Sequence, residues 1–258
     1  MEQRAAGRVH QPCMHGDRND VAAEDADLGL LGFFRCRVGG RDVRLAPASR
    51  RLIVTVALEP GGLGRESLQG RLWPDAGAAE AAKRLRQSLW RVRRDTGARL
   101  LAVTSSHVAL ADHVDVDLRR GERLARLAAR GAARSAEPDE VELLGRELLP
   151  CLPEEDVWAA RDRWDLLRLL ALERLAEHAL ASGDTTGAID LAEAAARVDA
   201  LAEASHRIRA AAHLVREDQV SAWRVFTRYR RLLDEEMGLQ PSAAFRGLLE
   251  RDGRTLVS

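Results

Sequence analysis

The sequence predicts a mainly α chain of two folded parts, the first mixing three helices with short β-hairpins and the second all helical. Three observations predict it. Gly and Ser pairs punctuate short apolar runs twice before residue 112, and after it only helical periodicity is found. Charge is segregated: the whole chain is neutral, but residues 28–112 carry 15 basic against 7 acidic groups. Lastly, two helical stretches resemble each other at a 34-residue offset. These observations divide the chain into a tail (1–27), a basic domain (28–112) and an acidic helical domain (113–258).

The tail is polar, net −3, and lacks apolar periodicity, so it is expected to be disordered, with Met14 a candidate start of translation. From Leu28, LGLLGFFRCRVGGRDVRL reads as two short strands around Gly39-Gly40, a hairpin signal. A first helix is expected over Pro47–Leu58, because Pro suits a first turn and Pro60-Gly61-Gly62 stops the run. A short second helix covers about Arg65–Leu72 and ends at Trp73-Pro74-Asp75. The third runs from about Ala78 to Asp95, where Gly97 breaks it. Leu100–Val103 and His107–Leu110 then flank Ser105-Ser106 as a second hairpin. A strand pair, three helices and a hairpin is the order of a winged helix-turn-helix.

Beyond Asp112, helices are expected at Leu118–Ala133, Val141–Leu149, Trp158–Ser182, Thr185–Val198, Ala202–Arg216, Gln219–Glu236 and Ser242–Glu250. Pro138, Pro150, Pro153 and Pro241 fall between them. ALASGDTTGAIDLAEAAA aligns with HLVREDQVSAWRVFTRYR, matching Leu180 to Leu214, Asp184 to Asp218, Ala188 to Ala222, Ala192 to Phe226 and Ala195 to Tyr229. A helix-pair period of 34 residues is that of tetratricopeptide repeats, in which small residues let helices approach and larger ones fill the groove.

The third helix carries the chemistry. In AAEAAKRLRQSLWRVRRD, Leu85, Leu89 and Val92 form an apolar stripe beside Ala81 and Ser88. The opposite face presents Lys83, Arg84, Arg86, Gln87, Trp90, Arg91 and Arg94, with Arg93 nearer the boundary. Arg reads guanine and Gln reads adenine in the major groove, which admits one helix. Lys83, Arg84, Arg86 and Gln87 are therefore expected at or near bases, Arg91 and Arg94 at phosphates, and Trp90 against the sugar-phosphate backbone. Ser105, Ser106 and His107 at the wing tip are candidates for minor-groove or backbone contact. Arg50, Arg51 and Arg65 are further phosphate candidates. The plainer reading is a solvated basic face, against which the surrounding helix-turn-helix pattern weighs.

Several classes find no support. The sequence holds no phosphate-binding loop, no H-E-x-x-H and no nucleophile elbow, so no enzyme is expected. Cys13, Cys36 and Cys151 have no zinc spacing, and neither a metal nor another cofactor is expected. His206 and His213, two turns apart, read as structural. Without an apolar leader or an eighteen-residue apolar run, the expectation is a cytoplasmic protein with no membrane partner. Trp158, Trp164, Trp223, Phe226 and Tyr229 either line a ligand pocket or, as aromatics at helical spacing generally do, fill the core. An interaction scaffold with a vestigial winged helix is the other rival, which the basic third helix disfavours.

The stretches LGFFRCRVGGRDVRLAPASRRLIVTVAL and RESLQGRLWPDAGAAEAAKRLRQSLWRVRRDTG resemble the OmpR-type DNA-binding domain of the Streptomyces antibiotic regulatory protein family. GRELLPCLPEEDVWAARDRWDLLRLLALERLAEHAL and RYRRLLDEEMGLQPSAAFRGLLE are similar to the bacterial transcriptional activation domain that accompanies it. The resemblance covers roughly Leu28–Glu250. It implies a pathway-specific activator of secondary metabolism, such as antibiotic biosynthesis. Such a protein binds direct repeats in double-stranded DNA near the −35 element as a homodimer, at least on DNA, and recruits RNA polymerase holoenzyme. Trp90 and Arg84 stand where that family usually has smaller residues, and Gly64 where it commonly has a capping serine.

Overall fold

The computed structural model describes residues 26–131, 137–152 and 154–254. Most of the expected tail, Met14 and the end of the helix expected to reach Ala133 lie outside the described residues. The first strand, β1 (Ala26–Gly29), starts one residue before the expected end of the tail. Its partner β2 (Arg35–Val38) turns into β3 (Arg41–Asp42) across Gly39-Gly40. Both glycines have positive φ, 56° and 74°, the left-handed pair that a two-residue hairpin demands. The expected two strands are thus three, because Leu30–Phe34 breaks the run.

Helix α1 (Pro47–Ala57) has Pro in its first turn and buries Leu52, Ile53, Val54 and Val56. A tight turn leads through β4 (Leu63–Gly64) into α2 (Arg65–Leu72), and a loop at 73–77 leads on to α3 (Ala78–Asp95). The second hairpin is β5 (Leu101–Val103) and β6 (His107–Leu110), followed by β7 (Val114–Val116). Two sheets result, ordered β3-β2-β1-β7 and β4-β6-β5. Strand β7 lies parallel to β1, pairing Val114 with Ala26 and Val116 with Leu28. The expected boundary at residue 112 therefore falls inside the first domain. Val114 and Val116 are buried while Asp115 is exposed, a period-two signal too short to stand out.

The helical part comprises α4 (Asp117–Ala129), α5 (Pro138–Gly145), α6 (Glu154–Ala181), α7 (Thr185–Val198), α8 (Glu203–Val215), α9 (Gln219–Met237) and α10 (Ala243–Arg254). Helix α5 starts and ends earlier than expected. Pro138 opens it, the Glu140 carboxylate accepts the Glu137 N–H at 3.1 Å, and Leu148 leaves it for a bridge with Leu31. The 34-residue repeat is real in three dimensions. Asp184 accepts from the Gly187 N–H at 2.9 Å, and Asp218 accepts from the Ser221 N–H at 3.0 Å, capping α7 and α9 alike. Ala188 and Ala222 are fully buried, and so, nearly, are Ala192 and Phe226, Ala195 and Tyr229. Helix α10 closes the end, with Phe245 set edge-on to Phe226 at 5.1 Å. The chain is a winged helix-turn-helix followed by an all-α, tetratricopeptide-like domain.

The two parts meet along the segment after α5. Gly32 N–H donates to Glu147 O at 2.6 Å and Leu149 N–H to Leu30 O at 2.9 Å. Helix α6 holds that segment from its other side. Arg161 donates to the carbonyls of Leu148 (2.8 Å), Leu149 and Leu152 (3.0 Å), and Trp164 donates to Arg146 O at 2.9 Å. Arg168, buried, pairs with Asp165 at 2.7 Å and reaches Gly145 O at 3.1 Å. Gly121 on α4 lies under the Trp164 indole, where a Cβ would come within 2.8 Å of the ring. Trp164, Phe226 and Tyr229 are core residues, as their spacing suggests, but Trp158 and Trp223 are not: they are 65% and 50% exposed.

Candidate nucleic-acid interface

Helix α3 is amphipathic. Ala81, Leu85, Ser88, Leu89 and Val92 are buried against α1 and α2. Lys83, Arg84, Arg86, Gln87, Trp90, Arg91, Arg93 and Arg94 are all exposed. The stripe and the cationic face therefore fall on the sides that the sequence assigns them.

The cations are not equivalent. Arg84 pairs with Glu80 one turn earlier at 2.9 Å, and the guanidinium's hydrogen bond is the main reason the Glu80 carboxyl lies below its usual range, with the charges of Lys83 and Arg84 adding to it. Arg94 pairs with Asp95 at 2.8 Å and lies 5.0 Å from the centre of the Trp90 ring. Trp90 is 60% exposed, so this stacking leaves much of the indole open. Arg86, Gln87, Arg91 and Arg93 have no hydrogen-bond or ion-pair partner among the described residues. An exposed guanidinium without a partner keeps all five donors for a ligand.

The wing lies beside this helix. A groove of about 410 Å³ separates α3 from β5, with Arg65, Arg86, Trp90 and Arg93 over Leu101 and Val103. Arg93 belongs to this groove although the sequence placed it near a boundary. Its helical angle alone was ambiguous, and the hairpin resolves it. At the tip, Thr104–Ser106 is exposed, and Thr104 Oγ1 accepts the His107 N–H at 3.0 Å.

Three candidates are engaged by the protein instead. Arg65 donates to Thr104 O at 3.1 Å, and its own N–H donates to Ser106 O at 2.9 Å. That second bond satisfies the first of the free N–H groups at the start of α2, whose N-cap, Gly64, has no side chain to accept from the next ones. His107 Nε2 lies 2.7 Å from Gly61 O, tying the wing to the turn before β4. Arg51 donates to Leu72 O at 3.0 Å, at the C-terminus of α2. These three brace the helix-turn-helix. Arg50 is half-buried, and its Nε finds no partner. Ser105 and Ser106 stay on the open tip.

Residues 116–251, rather more than half of the chain, match the family model of the bacterial transcriptional activator domain. The chain belongs to that family. The bacterial transcriptional activator domain begins at the last residue of β7, takes in every helix from α4 to α9 and ends within α10. Membership bears out the likeness to Streptomyces antibiotic regulatory proteins drawn from the sequence motifs, and the family is one of transcriptional regulators. Among solved structures, the chain is similar to Mycobacterium tuberculosis EmbR in complex with a low-affinity phosphopeptide. That match has a TM-score of 0.70 at 20% identity and covers 90% of this chain. The chain spans 66% of the EmbR chain, so the likeness is one of fold. No curated protein sequence matches the chain. No described helix is long and apolar enough to cross a membrane, and no cluster of three metal-ligating side chains occurs among the described residues.

Proposed function

We propose that this transcriptional activator binds double-stranded DNA sequence-specifically, with α3 in the major groove and the β5–β6 wing beside it. The observation that carries the reading is the partner-free set Arg86, Gln87, Arg91 and Arg93 on the outer face of a helix whose inner face is fully packed. Side chains that neutralise phosphates and read base edges must be exposed and uncommitted. Arg86 and Gln87 read bases, with Lys83 and Arg84 near them, while Arg91, Arg93 and Arg94 meet phosphates.

The helical domain then supplies activation. Two protomers occupy direct repeats near a promoter and bring RNA polymerase holoenzyme to it, in a cytoplasmic, pathway-specific role in secondary metabolism. The resemblance in the motifs supports this finer reading. Footprinting of promoters near the gene, followed by transcription in vitro with purified holoenzyme, tests it. Protection of two equally oriented half-sites and stimulated transcription are expected. Binding without sequence preference would return the chain to the scaffold reading.

A further inference from the structure

The end of the helical repeat carries an apolar, cationic face. Val215, at the end of α8, and Val220 and Trp223, on α9, are 63%, 61% and 50% exposed. Arg224 and Arg228 stand beside them, exposed and without an ion-pair partner among the described residues. Val220, Trp223, Arg224, Thr227 and Arg228 line one shallow cleft of about 520 Å³. A solenoid's terminal repeat ordinarily turns a polar face outward, since nothing stacks on it. Here the outward face of α9 holds an indole and a valine.

The 34-residue register shows what such a face is built to meet. Trp223 corresponds to Ile189 of α7, Arg224 to Asp190, Thr227 to Glu193 and Arg228 to Ala194. In the first copy, this side of α7 is occupied: Ile189 packs into the core, Ala194 is buried, Glu193 meets Arg209 of α8 at 3.6 Å, and Asp190 shares a cavity with Pro138 and Val141 of α5. In the second copy, α10 covers α9 through Phe245, against Phe226 and Tyr229, and leaves the Trp223 side open. The charge also differs: Asp190 becomes Arg224, Ala194 becomes Arg228, and Glu193, which meets Arg209, becomes Thr227. The turn differs too: Gly183 (φ 85°) becomes Glu217, held at φ 59°.

We infer that this face is a docking site for an acidic amphipathic α-helix of a partner protein, lying along the side of α9 that α10 leaves open. Trp223 and Val220 would take its apolar stripe, and Arg224 and Arg228 its flanking carboxylates.

The test uses the full chain and two labelled helical peptides of 18 residues, about five turns. Both carry leucine at every third or fourth position, one with glutamate and one with lysine on the flanks. Fluorescence anisotropy should show saturable binding of the glutamate peptide and at least tenfold weaker binding of the lysine peptide. Trp223→Ala should weaken the glutamate peptide at least tenfold, and Arg224→Glu with Arg228→Glu should invert the preference. Helical circular dichroism of each variant, equal to that of the parent, shows that the fold is kept. Equal binding of both peptides, or no loss with Trp223→Ala, would overturn the inference. So would sedimentation showing that the chain alone dimerises through Trp223, because a second copy would then be the occupant.

Discussion

The carboxylate of Asp117 accepts the backbone N–H of Leu30 at 2.7 Å, across 87 residues of sequence. It accepts the neighbouring Leu31 N–H as well, at 3.1 Å. Asp117 is the first residue of α4 and is buried, so one side chain ends β1, starts the helical domain and satisfies two donors that have left the sheet. Removing it strands those donors. Asp117→Ala should cost about 1–3 kcal/mol, read as a shift in urea midpoint. A loss within error would show that solvent replaces the carboxylate.

The same group predicts a pH effect. Burial raises the Asp117 pKa above its ordinary 3.8, and the N–H bonds from Leu30 and Leu31 offset this only in part. A raised folded pKa means that the folded state holds the proton more tightly than the unfolded chain. Its contribution is therefore complete below 3.8 and is lost as pH rises through the higher folded value. Asp117→Asn should flatten that segment of the stability profile. An unchanged slope would assign the effect elsewhere.

His206 has the opposite sign. Burial is the first cause of its lowered pKa, and the ring stacks on Tyr229 at 4.6 Å. His213 is lowered too, again chiefly by burial. A depressed folded pKa stabilises above 6.5 and the benefit disappears as pH falls through the folded value. The protection factors of amides in α8 and α9, corrected for intrinsic exchange, should thus fall at mildly acidic pH, and His206→Phe should remove part of this dependence. Equal acid sensitivity in the variant would exclude the histidine.

On α3, Arg86→Ala or Gln87→Ala should relax base preference at a single position by about 1–3 kcal/mol. Arg91→Ala should weaken all sequences alike and lower the salt slope by about one. Gel shifts over a salt series, with half-site variants, separate the two. The reverse pattern would show that the helix lies in the groove in another orientation.

Gly62 has φ 75°, and a Cβ there would lie 2.5 Å from Val108 O. Gly62→Ala should destabilise by more than about 1 kcal/mol, visible as a lowered Tm. The turn sets β4 against β6, so DNA affinity should fall with it. A stable variant with normal affinity would mean that the wing tolerates displacement.

Local signals were legible where one residue type has one use. Gly39-Gly40 marked a hairpin, Pro47 a first turn, and the match of Asp184 to Asp218 a repeat at a fixed offset. The cationic side of α3 was readable because Leu85, Leu89 and Val92 leave one face free. What stayed hidden is long-range. Nothing in Val114-Asp115-Val116 says that it will pair with Ala26–Leu28, and Leu148 looks like another helical leucine until Leu31 is beside it. Nor could it be read that Arg51, Arg65 and His107 bond carbonyls of the protein, because composition does not show which guanidinium or imidazole meets a carbonyl at home. Trp223 passed for core because its spacing matches that of Phe226 and Tyr229.

The parallel strand β7 changes how this protein can be cut. A fragment stopped at Asp112 keeps α3 and the β5–β6 hairpin, but loses Val114–Val116 and bares one side of Ala26–Leu28. An unprotected strand of that kind invites pairing with a neighbouring copy, so such a fragment would tend to self-associate for reasons unrelated to its biology. Oligomer sizes measured on the isolated first domain are therefore meaningful only if its chain runs on past Asp117.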